Sequence, residues 1–146
     1  MAIRLPTMNE VFLDASYAIA LASATDAYHS KALEIAQQLE SSHTLLVTTR
    51  AVVLEVGNAL SRRGYRTAAV DLLESIDNDP RIQVVPISED LYQEAFALFR
   101  NRSDKDWGLT DCLSFVVMER RKLTDALTAD HHFRQAGFRP LLLEST

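Results

Sequence analysis

Four carboxylates sit where carboxylates are costly. Asp14 ends the run Val11-Phe12-Leu13, and Glu55 interrupts Val52-Val53-Leu54 and Val56. Asp111 stands between Leu109-Thr110 and Cys112-Leu113, and Asp130 closes Ala126-Leu127-Thr128-Ala129. An ionised carboxylate in apolar surroundings is disfavoured unless it is paired or bound to metal. No Lys or Arg lies inside these four segments to act as a partner. Gathered in one place, the four anions repel one another and need a counter-charge. Hard oxygen donors select Mg²⁺ or Mn²⁺. A divalent ion held by carboxylates points to metal-assisted hydrolysis.

Each residue also has an ordinary structural explanation. Asp14 and Asp130 both follow apolar strand-like runs and suit helix caps. Asp111 suits the first turn of a helix, where the dipole favours an anion. Glu55 is the hardest to explain away, because it breaks an apolar helical face and is expected to point inward. Substrate contacts are assigned by proximity in the chain to Lys105, Arg50, Arg62 and His131. The pair His131-His132 offers a rival chemistry, metal-free acid–base cleavage of RNA through the 2′-hydroxyl. Asp104 and Asp106 read as solvated loop charges, and Arg120-Arg121-Lys122 as a helix end.

These residues are held by alternating elements. Strands are expected at 11–13, 45–47, 82–85, 126–128 and 141–143. Helices are expected at 15–24, 27–39 (capped by Asp26 or Ser30), 50–63 (ended by Gly64) and 68–76 (capped by Thr67). Two more follow, one from the Ser88 cap to about 100 and one over 111–121 with Thr110 as its cap. Residues 101–108 read as a loop. Alternation of this kind predicts an α/β fold with a parallel sheet covered on both faces. In such a sheet the strand ends line the ligand crevice. Asp14 and Asp130 each follow a strand, so the four carboxylates are expected to converge on one rim.

Bulk properties narrow the classes. The 146 residues suit one domain over 1–146, with 1–9 as an N-terminal extension. The formal charge of −5 argues against non-specific coating of DNA. A metal-dependent nuclease remains compatible, because bound dications add positive charge. The single cysteine, Cys112, excludes an intrachain disulfide and a cysteine-based zinc site. It fits a reducing, cytoplasmic compartment. No apolar stretch approaches the ~20 residues of a membrane span, so no membrane association is expected.

The segments Phe12-Leu13-Asp14-Ala15-Ser16, Leu54-Glu55-Val56-Gly57-Asn58-Ala59-Leu60, Leu109-Thr110-Asp111-Cys112-Leu113-Ser114-Phe115 and Leu127-Thr128-Ala129-Asp130-His131-His132-Phe133 together resemble the PIN domain family. The separations of 41, 56 and 19 residues between the acidic positions fit as well. The resemblance implies a three-layer α/β/α sandwich around a mostly parallel sheet. It implies a Mg²⁺- or Mn²⁺-dependent ribonuclease acting on single-stranded RNA and leaving 5′-phosphate and 3′-hydroxyl ends. It also implies a VapC-type toxin with an antitoxin partner, and a homodimer.

The family's acidic positions fall on Asp14, Glu55, Asp111 and Asp130, with Asp14 and Asp130 expected closest to the metal. Its small polar position falls on Ser16 and its threonine on Thr128. Ser16, Thr110 and Thr128 are expected to orient ligands or water. Two departures stand out: about ten residues precede the first strand, and Cys112 replaces a common alanine. The alternatives are a stand-alone RNA-processing nuclease and a non-catalytic RNA- or protein-binding module. A phosphoacceptor receiver would need an acidic pair at the first strand and a central strand ending in Asp. A dehalogenase-like phosphatase would need Asp-x-Asp where this chain has Asp14-Ala15-Ser16.

Overall fold

The computed structural model describes residues 10–145; the expected extension over 1–9 lies outside them. Short β-branched and leucine-rich runs form strands, and the amphipathic segments between them form helices. In chain order these are β1 (Glu10–Leu13), α1 (Ala15–Ala22), α2 (His29–Ser42), β2 (Leu45–Thr49), α3 (Arg50–Ala59) and α4 (Arg66–Asn78). Then come β3 (Ile82–Val85), α5 (Glu89–Asn101), α6 (Leu109–Arg121), β4 (Asp125–Leu127), α7 (His131–Gln135) and β5 (Arg139–Pro140).

Every strand pairing is parallel, and the order across the sheet is β3-β2-β1-β4-β5. The chain therefore winds outward from β1 to β3, then returns past β1 to β4. Parallel crossovers are right-handed, so the return places its helices on the opposite face. α1 packs against α2 and α4 on one side of the sheet, and α5 packs against α6 on the other. This is the expected three-layer α/β/α sandwich. The reversal of winding opens a crevice beyond the carboxyl ends of β1 and β4. α3 reaches both helical layers, touching α1 and α6.

The core explains why the crevice is rigid. Phe12, Val47, Ala126 and Leu127 are fully buried in the central strands. The run Cys112–Met118 is buried on all sides of α6, as expected for a helix enclosed by neighbours. Phe115 on α6 meets Phe133 on α7 edge to face at 5.0 Å, and Trp107 meets Phe115 in the same way at 5.0 Å. Such aromatic contacts fix the placement of α7 against α6 beyond the area they bury.

Several local expectations need correction. The fifth strand is Arg139–Pro140, and Leu141–Leu143 forms a 3₁₀ turn instead. Pro140 offers no N–H to a ladder, and the Leu142 N–H bonds the Thr128 carbonyl at 3.1 Å. The helix expected over 50–63 ends at Ala59, with Gly64 inside a separate 3₁₀ turn, Arg63–Tyr65. α4 starts at Arg66, so Thr67 is inside it and does not cap it. α2 starts at His29; Asp26 holds the Tyr28 N–H at 2.8 Å in the preceding turn, and Ser30 lies within the helix. Gly108, not Thr110, is the N-cap of α6. The Ser88 cap is present, its hydroxyl accepting from the Leu91 N–H at 3.1 Å.

Candidate active site

Asp14 is the first residue beyond β1, and its N–H still bonds the Leu127 carbonyl of β4 at 3.2 Å. It occupies the N-cap position of α1, yet its side chain caps nothing. The carboxylate instead turns toward the β4 end. Thr128 Oγ1 donates to Asp14 Oδ2 at 2.7 Å, and Ser16 Oγ donates to the same oxygen at 3.5 Å. Ser16 Oγ and Thr128 Oγ1 lie 3.1 Å apart, and they accept the N–H groups of Ala129 (2.9 Å) and Asp130 (3.0 Å) respectively. Two small hydroxyls thus lock the ends of β1 and β4 together around Asp14. The fold arrives at this geometry because β1 and β4 are neighbours in register, Leu13 opposite Leu127.

Asp14 is 6% exposed and has no Lys or Arg partner among the described residues. Burial pushes its carboxyl up to about 7, and the negative charges of Glu55 and Asp111 add to the rise against the opposing Thr128 hydrogen bond. Such a group is poised to gain a cation.

Asp111 and Asp130 come from α6 and the start of α7. Asp111 Oδ2 accepts the Gly108 N–H at 3.2 Å, so part of its role is to cap α6; glycine has no side chain to complete the reciprocal bond. Asp130 Oδ1 accepts the His132 N–H at 2.8 Å, the cap expected for a residue at this place. His132 Nδ1 lies 3.0 Å from Asp111 Oδ2 and 3.4 Å from Asp130 Oδ1. Burial and the charge of Asp130 raise the Asp111 carboxyl above its usual range, against the lowering effect of His132 and the Gly108 N–H.

Glu55 departs from expectation in one respect. Its residue is exposed rather than turned into the core, because the buried face of α3 is Ala51, Val52, Val53 and Val56. It still lies within electrostatic reach of the other acids. Its carboxyl is raised by partial burial, then by Asp111 and Asp130. Glu55 and Asp111 thus link Asp14 on one side to Asp130 on the other.

The remaining candidates divide. His131 is on the rim, its Nδ1 3.8 Å from Asp130 Oδ1 and its side chain 69% exposed. Arg50 pairs with Asp77 at the end of α4 at 3.2 Å, and Lys105 lies 3.8 Å from Asp104. Arg62 is exposed at the start of the 3₁₀ turn after α3. Chain proximity placed these three cations near the acids, but their recorded ion pairs and elements do not bring them into the cluster. Asp104 is held by Arg102 in a two-bond pair, at 3.0 and 3.1 Å, as a solvated loop charge. Thr110 contributes a backbone carbonyl to Ser114, and no hydrogen bond of its hydroxyl is recorded among the described residues. His132 is singled out by the sequence only within the His131-His132 pair, as an acid–base group and not as a partner of Asp111 and Asp130. Its signal was the spacing, two positions after an acidic helix cap, which turns its ring back over the cap.

The donor set fits a hard divalent ion. The cluster holds a buried carboxylate with no Lys or Arg partner among the described residues, three further carboxylates, and protein donors already fixed to Asp14 Oδ2, Asp111 Oδ2 and Asp130 Oδ1. Asp130, His131 and His132 can also bring one ligand atom each within 4.8 Å of one another. Thr128→Val tests the lock on Asp14. It keeps the shape but removes the hydroxyl that serves Asp14 and Asp130, and is expected to weaken Mn²⁺ binding about 10- to 100-fold, measured by isothermal titration.

The PIN domain family model matches residues 11–139. The 23S rRNA-specific endonuclease VapC20 of two Mycobacterium tuberculosis strains, CDC 1551 / Oshkosh and H37Rv, is 28% identical to this chain over 129 residues. The match covers 88% of this chain and 95% of the relative. The crystal structure of M. tuberculosis VapC20, described as a sarcin-ricin loop cleaving toxin, superposes with a TM-score of 0.77. It has 28% identity and the same coverage of 88% and 95%.

Proposed function

The chain belongs to the PIN domain family, and from that premise we propose that it is a divalent-metal-dependent endoribonuclease of the toxin kind. The observation that carries this reading is Asp14, a buried carboxylate at the strand reversal that feels the charges of Glu55 and Asp111 and has no Lys or Arg partner among the described residues. Asp14, Asp111 and Asp130 would hold the ion, with Glu55 at its exposed edge. Mg²⁺ and Mn²⁺ both suit these oxygens. When bound, such an ion supplies Lewis-acid polarisation of the phosphodiester and a more acidic water.

The chain's own groups do the rest. Thr128 and Ser16 fix the orientation of Asp14 through one oxygen and leave the other for the ion. The N-terminus of α6 lies at Asp111, where its dipole favours an anionic phosphate. The relative's action on 23S rRNA makes ribosomal RNA the first substrate to try. An antitoxin partner, a homodimer and action in the cytoplasm belong to the same reading. No helix among the described residues is long and apolar enough to cross a membrane.

The test is cleavage of a labelled RNA by the purified chain with Mg²⁺ or Mn²⁺, with and without EDTA. The expected result is cleavage that EDTA stops and that leaves 5′-phosphate ends. Cleavage that persists in EDTA and yields cyclic phosphates would instead favour the His131-His132 route.

A further inference from the structure

Among the described residues, the His132 ring lies within 3.4 Å of carboxylate oxygens on two of the clustered acids. Its Nδ1 spans from α7 to α6, 3.0 Å from Asp111 Oδ2 and 3.4 Å from Asp130 Oδ1. Its own N–H adds a 2.8 Å bond to Asp130 Oδ1. The side chain is 20% exposed, and the next residue, Phe133, is fully buried against Phe115. The ring therefore stands on a rigid base. Asp111 and Asp130 belong to different helices and repel one another, so something must hold them together before a cation arrives.

We propose that His132 is a positioning residue that, by donating its Nδ1–H to Asp111 and its backbone N–H to Asp130, holds the two carboxylates at ligand spacing. This rests on the metal-dependent reading above. The tie occupies Asp111 Oδ2 and Asp130 Oδ1. The free oxygens, Asp111 Oδ1 and Asp130 Oδ2, accept no recorded hydrogen bond from the described residues and remain for the ion. A residue that donates to both carboxylates orients them as outer partners orient metal ligands in general. His132 is not asked to bind the metal or to transfer a proton.

Three substitutions separate the roles a histidine can have here. Asn places an amide N–H near the position of Nδ1, Gln places one near Nε2, and Ala places none. Mn²⁺ affinity is measured by isothermal titration on the full chain, with melting curves beside it. His132→Ala is expected to weaken Mn²⁺ binding about 10- to 100-fold. His132→Asn is expected to recover most of that loss and His132→Gln little of it. At saturating Mn²⁺ the kcat of His132→Ala should approach that of the wild type.

A second readout needs no variant. The ¹⁵N spectrum of the wild-type imidazole should show a proton on Nδ1. A bare Nδ1, unchanged Mn²⁺ affinity in a folded His132→Ala, or rescue by Gln in place of Asn would overturn the proposal. Absence of Mn²⁺ binding in the wild type overturns the metal reading itself, and this inference with it.

Discussion

Asp14→Asn is expected to lower divalent-dependent RNA cleavage about 1,000-fold or more while leaving the chain folded. The substitution keeps the size of the side chain and an oxygen that can accept the 2.7 Å bond from Thr128. What it removes is the charge. Each tenfold in rate corresponds to about 1.4 kcal/mol, and metal ions contribute several kcal/mol of transition-state stabilisation, which sets the scale. Single-turnover cleavage of a labelled RNA at fixed Mn²⁺ gives the rate, and circular dichroism verifies the fold. In the metal-free state the same variant should melt at a higher temperature than the wild type near neutral pH, since a buried unpaired charge has gone. Cleavage at the wild-type rate by a folded Asp14→Asn would remove Asp14 from the chemistry.

The second large effect is a loss of stability with rising pH in the metal-free protein. Burial raises the Asp14 carboxyl from 3.8 to about 7. Below about pH 4 the group is protonated in both folded and unfolded chains and makes no difference. Between about 4 and 7 the unfolded chain releases the proton while the folded chain keeps it, so folding becomes progressively less favourable. Above about 7 the full cost is present. A shift of about three units corresponds to roughly 4 kcal/mol as an order of magnitude, or on the order of 10 °C in Tm for a domain of this size. Glu55 and Asp111 are shifted in the same direction and add to the fall. Saturating Mn²⁺ should reverse it, since a ligand present at 100 times its Kd contributes about 2.7 kcal/mol. Melting curves at pH 5 and pH 8, with EDTA and with Mn²⁺, measure both effects. A metal-free Tm that rises from pH 5 to pH 8 would contradict the burial of an unpaired Asp14.

Much of this arrangement is legible in the chain because the residues that build it are locally unambiguous. Val11-Phe12-Leu13 is short, apolar and stopped by Asp14, so strand and acid are read together. The run Ile82–Val85 is bounded by a turn and a helix cap and forms a strand at the expected residues. The convergence of the acids on one rim follows from β/α alternation plus the acids at two strand ends. Where reading failed, the deciding contact was remote. Leu141-Leu142-Leu143 looks like a strand, but the Thr128 carbonyl takes the Leu142 N–H and curls the segment. Glu55 breaks an apolar pattern, yet whether such a break points to core or to a cleft depends on the gap between α3 and α6. Arg50, Arg62 and Lys105 are near the acids only along the chain. The sequence offers His132 only as half of a histidine pair, and its place between two acids emerges once α7 is set against α6 by Phe115 and Phe133.

The most direct measurement is the anomalous-difference map of a crystal soaked in Mn²⁺. The expected result is a peak beyond the ends of β1 and β4, with Asp14 and at least one of Asp111 and Asp130 at about 2.0–2.3 Å, the range of hard divalent ions on carboxylate oxygen. A fully occupied peak elsewhere on the surface, or no peak while the crevice is open to solvent, would mean that these acids meet for some other reason.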